Sequence, residues 1–286
     1  MKLVRFKIGH EISCGLVLDN GIVDFNQTDL PYKDLQSIIE YGADALEKVK
    51  AYCEGASPHY ALSEVILLAP IPRPGKFLAI GMNYKKHVDE ADRLGIAKSG
   101  YQTWFNKQIS CINDPFGTID PGMTQQLDYE VELGVVIGKK SKYLTIENVD
   151  DAIFGYLVVN DVSARDWQFH TPTFTMGKSF DTHGPIGPWI VTRDEIKDHQ
   201  TLTLRCYVNG ELRQSNNTSE MIHNIHDQLI YLSTAFTLEP GDIIATGTPE
   251  GVGVAMQPQV FLQDGDIVRC EIENIGVIEN KVSVLK

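Results

Sequence analysis

The stretch DYEVELGVVIG, residues 128–138, decides the fold of this 286-residue chain. Its apolar and β-branched second half predicts a buried strand over residues 131–138. Its first half carries Glu130 and Glu132 at i and i+2, a spacing that in a strand puts both side chains on one face, about 7 Å apart. Two buried carboxylates repel each other, and a hard divalent cation would relieve that cost. The alternative is an exposed polar strand face, where glutamate is common.

A third carboxylate follows the next apolar run. Residues 155–160, GYLVVN, read as a second buried strand that ends at Asp161. A rigid strand end that opens to solvent is a usual place for a ligand or a catalytic group. The alternative is that Asp161 caps the following helical turn, with Ser163 as its competitor. Two carboxylates on one strand and a third at a strand end make an oxygen-rich site that suits Mg²⁺ or Mn²⁺ better than zinc, with Ca²⁺ as a further candidate.

The surrounding pattern predicts an α+β fold that is predominantly β. Short apolar runs separated by turn signals predict most elements after residue 128 to be strands, and one amphipathic stretch interrupts them as a helix over residues 219–236. The predicted strands cover residues 131–138, 154–160, 187–192, 201–208, 242–246, 267–273 and 276–284.

The first part of the chain has a different organisation. Residues 1–66 read as a small β-rich domain with a hairpin turn at Asn20-Gly21 and a helix over residues 34–51 that Gly42 interrupts. The stretch PIPRPG, residues 70–75, fits neither a regular helix nor a central strand and marks the boundary with a second domain, residues 70–286.

The second domain begins with a predicted buried strand over residues 76–81. A helix is expected over residues 83–94, with Gly95 as its C-terminal cap. Residues 95–124 are rich in turn-forming residues and predict a long segment without regular structure, which in compact domains is usually functional.

Composition limits the partners. The formal net charge of −13 and the lack of a basic run exclude nucleic acid and an anionic membrane surface as partners. An acidic protein can still bind an acidic substrate when a cation lies between them. The N-terminus shows no apolar run long enough for a signal peptide or a membrane helix, which predicts a cytoplasmic protein. Five scattered cysteines predict buried thiols and no disulfide framework.

Five motifs occur in one order, and together they resemble the fumarylacetoacetate hydrolase superfamily. The resemblance covers residues 70–286, and the first 66 residues are similar in size and type to the N-terminal extension of many members. The motifs are GMNYKKHVDE (residues 81–90), DYEVEL (128–133), NDVSARDWQ (160–168), GKSFDT (177–182) and GDIIATGTPEGVG (241–253).

The resemblance implies roles for the matching residues. Glu130, Glu132 and Asp161 match the carboxylates that bind Mg²⁺ or Mn²⁺, in agreement with the strand geometry above. His87 and Glu90 match a catalytic dyad on a lid, and because i and i+3 are neighbours on a helix, Glu90 can hold the imidazole and raise its basicity. Without the motif, a solvated histidine is the alternative.

Four further positions take roles from the same resemblance. Lys178 matches a lysine that supplies positive charge where an enolate develops. Arg165 and Gln168 match positions that line the site, and Thr248 lies in a Gly-Thr-Pro turn. The lid, residues 85–118, is expected to set specificity, with Tyr101, Trp104 and Phe105 lining the pocket. His223 and His226 form a possible metal pair on the predicted helix, but no third ligand is near in sequence.

The implied function is metal-dependent hydrolysis of a C–C bond in acylpyruvates or related 2,4-dioxo acids, through a pyruvate enolate. An oxaloacetate decarboxylase or tautomerase, or a 2-hydroxy-dienoate isomerase, would use the same site and intermediate. A cation-binding protein without catalysis would retain the carboxylates and lose the dyad or the lysine, whereas all of these residues are present. The resemblance also implies a mixed β-sandwich roll, a small 2-oxo acid as substrate and a homodimer.

Overall fold

The computed structural model describes residues 1–19, 21–95 and 99–285. Strands dominate it, as the sequence predicts, and the α+β, predominantly β class is confirmed. The strands are β1 (Lys2–Ile8), β2 (Glu11–Leu18), β3 (Gly21–Asp24), β4 (Tyr60–Ala61), β5 (Ile66–Leu68), β6 (Phe77–Gly81), β7 (Thr103–Asn106), β8 (Ile112–Asn113), β9 (Leu127–Asp128), β10 (Val131–Ile137), β11 (Ile153–Asn160), β12 (Ser163–Ala164), β13 (Gly184–Thr192), β14 (Thr203–Val208), β15 (Glu211–Asn217), β16 (Ile243–Ala245), β17 (Ile267–Ile272) and β18 (Gly276–Lys281).

The α-helices are short, and α1, α2 and α5 pack their apolar residues against the sheets. They are α1 (Leu35–Tyr41), α2 (Ala43–Cys53), α3 (Lys85–Arg93), α4 (Arg165–Gln168) and α5 (Ile225–Ala235). Gly42 separates α1 from α2 at a φ of 57°, a conformation that costs glycine little. The predicted interruption of the first helix is therefore confirmed. Gly95, at a φ of 75°, follows α3 closely, as expected for its C-terminal cap.

A large mixed sheet runs through the molecule in the order β4-β3-β2-β1-β13-β11-β10-β16-β6-β7. β1 pairs antiparallel with β13, with Leu3 opposite Ile190, so strands of the first 66 residues continue the sheet of the following part. The division into domains 1–66 and 70–286 stays a prediction. The strands β2 and β3 pair as the predicted hairpin with Leu18 opposite Gly21, although Asn20 of its turn lies outside the described residues.

A second sheet, in the order β15-β14-β17-β18, covers one face of the large sheet. Side chains alternate along β10, so that Val131, Leu133 and Val135 pack with apolar residues of β14 and β17 in the main core. Val136 instead joins a second core with residues of α1 and α2. This second face of β10 is the one that carries Glu130 and Glu132.

Residues 95–124 differ from expectation. β7 lies in the middle of this segment and pairs antiparallel with β6, with Phe105 opposite Ala79. Lys107 and Cys111 that follow are also buried. The prediction of a segment without regular structure is wrong here, because one short strand with two aromatic residues suffices to extend the sheet edge. Residues 96–98 lie outside the described residues.

Candidate metal centre and active site

Glu130, Glu132 and Asp161 meet where β10 begins and β11 ends. The two strands are antiparallel, with Val131 opposite Asn160, and the Asp161 N–H donates to the Glu130 carbonyl at 2.9 Å. One carboxylate oxygen from each of the three residues lies within 4.8 Å of the others. All three side chains are buried. Among the described residues, this is the one cluster of three or more metal-ligating side chains with such spacing.

Glu132 is the carboxylate of the three that has no cationic partner. Its Oε2 accepts the Gly247 N–H at 2.8 Å, and no lysine or arginine of the described residues forms an ion pair with it. Burial, together with the charges of Asp161 and Glu130, raises the pKa of Glu132 well above its ordinary value. An anion is therefore unfavourable here unless a cation is added.

The other two carboxylates are neutralised by buried side chains. Lys178 Nζ lies 2.7 Å from Glu130 Oε2 and 2.8 Å from Asp161 Oδ2, and Arg165 lies 2.7 Å from Glu130 Oε1. Burial by itself would raise the pKa of Glu130, but Lys178 and Arg165 overcome it and hold that pKa well below its ordinary value. Asp161 is also bound by Lys107 at 2.6 Å.

The approach of Lys178 depends on the glycine before it. A Cβ at Gly177 would lie 2.4 Å from the backbone nitrogen of Gln168 and 2.7 Å from the Ala164 carbonyl oxygen. Only a residue without a side chain lets this segment lie directly against α4. The close approach brings Lys178, Arg165 and Gln168 to one wall of the site.

The donor set fits a hard divalent cation. Three carboxylates converge, one of them lacks a cationic partner, and oxygen ligands are those that Mg²⁺, Mn²⁺ and Ca²⁺ prefer. Asp161 does not cap the following helix, because the N-cap of α4 is Ala164 and its side chain makes no capping bond. Both alternatives to a metal-ligand role, an exposed strand face and a helix cap, are thus inconsistent with the structure.

His87 and Glu90 lie on the same side of α3, one turn apart. His87 Nδ1 and Glu90 Oε2 are 3.0 Å apart, and Glu90 Oε1 accepts the Gly251 N–H at 2.9 Å. A carboxylate at Nδ1 favours the tautomer protonated on that nitrogen, which leaves Nε2 as the basic atom. His87 is half-buried, so it is not the solvated side chain of the alternative interpretation.

One cavity of about 190 Å³ connects these groups. Its polar wall is formed by His87 and Glu90 from α3, and by Glu130, Glu132, Arg165, Gln168, Lys178 and Thr248. Its other wall is apolar, and Phe105, Phe169 and Phe174 contribute to it. Eight of the nine predicted site residues thus line one cavity. The ninth, Asp161, does not line it and is bound to Lys178 of the cavity wall at 2.8 Å.

The three residues assigned to substrate binding differ in their own contacts. Arg165 donates from Nε to Asp128 at 2.9 Å and from Nη1 to Gln168 Oε1 at 3.0 Å, so its guanidinium group orients the side-chain amide of Gln168. Thr248 donates its hydroxyl to the Val131 carbonyl at 2.9 Å. Gln168 is the least constrained of the three. No comparison tests these roles, and they stay predictions.

Two of the three aromatic residues expected in the lid are not in the cavity wall. Tyr101 is 77% exposed, and Trp104 packs against the main core with its Nε1–H donating to Gln102. Successive residues of a strand point to opposite faces, so Trp104 and Phe105 in β7 cannot both face the cavity. Only Phe105 lines it.

The predicted helix over residues 219–236 begins only at Ile225, so His226 lies on α5 and His223 precedes it. The two histidines form no metal cluster in the described residues. His226 Nε2 lies 3.1 Å from Asp150 Oδ1, and the backbone N–H of His223 donates to Asn83.

Two charged residues of the site have no sequence prediction. Lys107 is fully buried and binds Asp161, yet it stands in a polar tripeptide that looks like surface. Asp128 is also fully buried, and it accepts the N–H groups of Tyr129, Gly253 and Val254 in addition to Arg165. Only its place at the start of the DYEVEL motif could have drawn attention to it.

Comparison with known proteins defines the class. The family described as "Fumarylacetoacetate (FAA) hydrolase C-terminal" matches residues 76–283, and the chain belongs to this family of enzymes. The resemblance drawn from the five motifs is confirmed.

Two relatives match this chain over almost its whole length. The mitochondrial oxaloacetate tautomerase FAHD2B of Bos taurus is 42% identical over 99% of this chain and 91% of its own length. The mitochondrial oxaloacetate tautomerase FAHD2A of Homo sapiens is 40% identical with the same coverage.

Solved structures agree in fold. A fumarylacetoacetate hydrolase from Exiguobacterium antarcticum is 37% identical with a TM-score of 0.84, and both chains are covered fully. A maleylpyruvate hydrolase from Sphingobium sp. SYK-6, in complex with manganese(II) ion and pyruvate, is 30% identical with a TM-score of 0.82, again over both full chains. In this chain, no helix of the described residues is both long and apolar enough to cross a membrane.

Proposed function

We propose that this protein is a metal-dependent enzyme that interconverts the keto and enol forms of oxaloacetate. The main support is that a histidine base, a lysine and two of the three clustered carboxylates, Glu130 and Glu132, line one cavity. Relatives at 40–42% identity over nearly the whole chain are oxaloacetate tautomerases, which favours this reaction over the others of the family.

Glu130, Glu132 and Asp161 are the residues that would hold Mg²⁺ or Mn²⁺, with Ca²⁺ as a further candidate. A bound divalent cation supplies positive charge that polarises a 2-oxo group next to a carboxylate. Lys107, Arg165 and Lys178 pair with Asp128, Glu130 and Asp161, which leaves Glu132 as the carboxylate of this buried group without a cationic partner among the described residues. Ionised Glu132 would add the uncompensated negative charge that favours a cation here.

The chain's own residues supply the proton chemistry. His87, oriented by Glu90, is placed to take a proton from the carbon next to the 2-oxo group and to deliver it to the enolate oxygen, which forms the enol; transfer in the opposite direction re-forms the keto acid. Lys178 supplies positive charge close to the oxygen on which negative charge develops. The aromatic wall of the cavity limits water, which strengthens both interactions.

Hydrolysis of an acylpyruvate is the second candidate, and the apolar wall favours it. Phe105, Phe169 and Phe174 can receive an acyl chain. The same dyad would then deprotonate a water that attacks the distal carbonyl, and C–C cleavage would release pyruvate.

The test compares three substrates. Purified protein, treated with EDTA and then given Mg²⁺ or Mn²⁺, is incubated with oxaloacetate, acetylpyruvate and fumarylpyruvate, and the loss of enol absorbance and the release of pyruvate are followed. Rapid equilibration of oxaloacetate without pyruvate release supports the tautomerase. Pyruvate release from either acylpyruvate, with oxaloacetate equilibrating at the uncatalysed rate, would establish the hydrolase instead.

Two further proposals concern assembly, for which the family resemblance is the ground, and location. We expect a homodimer, which light scattering coupled to gel filtration would test. We also expect a cytoplasmic location, although the relatives named above are mitochondrial; imaging of a tagged full-length chain would distinguish the two.

A further inference from the structure

Gln214 lies on β15, outside the cavity, and is 1% exposed. Its side-chain amide makes three hydrogen bonds. Oε1 accepts the Val131 N–H at 3.0 Å, while Nε2 donates to Thr248 Oγ1 and to the Pro249 carbonyl, both at 2.8 Å. If the amide were flipped, Nε2 would face the Val131 N–H, a second donor, and Oε1 would face the Pro249 carbonyl, a second acceptor. The hydrogen-bond partners therefore permit only one orientation of the amide.

These partners belong to the two segments that build the site. Val131 is the residue between Glu130 and Glu132, and its carbonyl accepts the Thr248 hydroxyl at 2.9 Å. Gln214, Thr248 and Val131 therefore form a closed ring of hydrogen bonds. The ring fixes the start of β10 against the turn at Thr248-Pro249.

The turn, residues 247–251, orients two functional carboxylates through its backbone N–H groups. The Gly247 N–H donates to Glu132 at 2.8 Å, and the Gly251 N–H donates to Glu90 at 2.9 Å. Gly251 has a φ of 101°, and a Cβ there would lie 2.1 Å from the Arg213 carbonyl, one residue before Gln214. The turn thus rests closely on β15 at this point.

We propose that Gln214 is a positioning residue. Through Val131 and the 247–251 turn, it holds Glu132 of the metal group and Glu90 of the dyad at fixed positions relative to each other. The proposal rests on the proposed function for the roles of those two carboxylates. Outer groups that orient metal ligands typically change metal affinity or activity on the order of 10- to 100-fold when they are replaced.

The test is Gln214→Met, which keeps the length and apolar bulk of the side chain and removes all three hydrogen bonds. The matched control is Asn280→Leu, because Asn280 is also a fully buried amide and donates to the carbonyls of Asp114 and Gly117 on another side of the molecule. Calorimetry gives the Mn²⁺ affinity, kinetics give kcat and KM on oxaloacetate, and hydrogen exchange of the metal-free protein gives the protection of the Gly247 and Gly251 amides.

For Gln214→Met we expect Mn²⁺ affinity and kcat each to fall on the order of 10- to 100-fold, with lower protection of both glycine amides. Asn280→Leu should lose comparable thermal stability and change none of these. Should Gln214→Met not fold, Gln214→Glu replaces it, since it keeps the acceptor toward Val131 and loses both donors to the turn.

Unchanged protection of Gly247 and Gly251, or the same changes in Asn280→Leu, would overturn the positioning role. A wild-type protein that binds no Mn²⁺ would contradict the proposed function instead. The exchange measurement needs no metal and decides the role of Gln214 in that case too.

Discussion

The ammonium of Lys178 and the carboxylate of Glu130 are 2.7 Å apart in the wall of the cavity, and neither is more than 6% exposed. The same ammonium reaches Asp161, so one lysine neutralises two members of the carboxylate cluster. Removal of one partner from a buried ion pair costs about 3–5 kcal/mol where it leaves the other charge unpaired. Arg165 still pairs with Glu130 and Lys107 with Asp161, so the cost of losing Lys178 is smaller than this. Stability of the metal-free protein and catalysis therefore depend on the same side chain.

Lys178→Met should lower both the stability of the metal-free protein and its catalytic activity. We expect the metal-free protein to melt at a lower temperature, and Mn²⁺ to raise that temperature more than it does in the wild type, because the cation replaces the lost charge. Activity should fall by about 10²–10³. Thermal unfolding with and without Mn²⁺ measures the first effect. Lys85→Met is the control, since Lys85 is 65% exposed and 3.8 Å from Glu220; equal behaviour of the two variants would contradict the prediction.

His87→Asn should separate proton transfer from metal binding. The histidine contacts Glu90 and forms no ion pair with the carboxylate cluster, so Mn²⁺ affinity should stay within about twofold while kcat falls by about 10²–10⁴. Calorimetry and steady-state kinetics on the same preparation give both values. Loss of metal binding together with activity would show that the histidine supports the cluster rather than the chemistry.

Glu132→Gln should stabilise the metal-free protein and abolish its response to metal. The raised pKa of Glu132 means that the folded chain keeps a proton that the unfolded chain releases above its ordinary pKa. The unfolding free energy of the wild type therefore falls as pH rises from the ordinary pKa of glutamate towards the raised pKa of Glu132. The glutamine variant does not titrate at this position and does not show this fall. Unfolding free energies from pH 4 to 8 measure the effect; parallel curves for wild type and variant would refute it.

His183 should make stability depend on pH in the opposite direction. Burial lowers the pKa of His183 to about 4, and its Nε2 lies 2.9 Å from the Asp120 carbonyl. Between pH 6.5 and 4 the unfolded chain binds a proton at this residue that the folded chain does not, so stability falls as pH falls, by at most about 3 kcal/mol.

The measurement is the difference in unfolding free energy between the wild type and His183→Gln over pH 4–8. Glutamine keeps a donor toward the Asp120 carbonyl and does not titrate. The difference should shrink as pH falls below 6.5. A difference that is constant with pH would mean that His183 has an ordinary pKa in the folded protein.

Local patterns in the sequence predicted the centre of the site. The i, i+2 spacing of Glu130 and Glu132 and the i, i+3 spacing of His87 and Glu90 are properties of a single strand and a single helix, and both pairs lie as those periods require. The break at Gly42 is equally local. In each case, the residues that decide the structure are neighbours in the sequence.

Contacts between distant segments could not be predicted in this way. Lys107 reaches Asp161 only because β7 pairs with β6, and the sequence gives no sign of that pairing. Gln214 lies on β15, a strand whose sequence is mostly polar, so no apolar alternation marks it. The error at Trp104 has the same origin, because the face that a side chain takes depends on which strands flank it.

The antiparallel pairing of β1 with β13 determines how residues 1–66 can be exchanged between related proteins. Main-chain hydrogen bonds depend on register and twist and little on side-chain identity, so the β1–β13 pairing itself tolerates exchange between relatives. A chimaera that exchanges residues 1–66 should therefore retain the sheet if the spacing up to residue 77 is kept and if the side chains of α1 and α2 that share a core with Val136 keep their size. Deletion of the same residues would leave β13 as an open edge, and the shortened chain should self-associate.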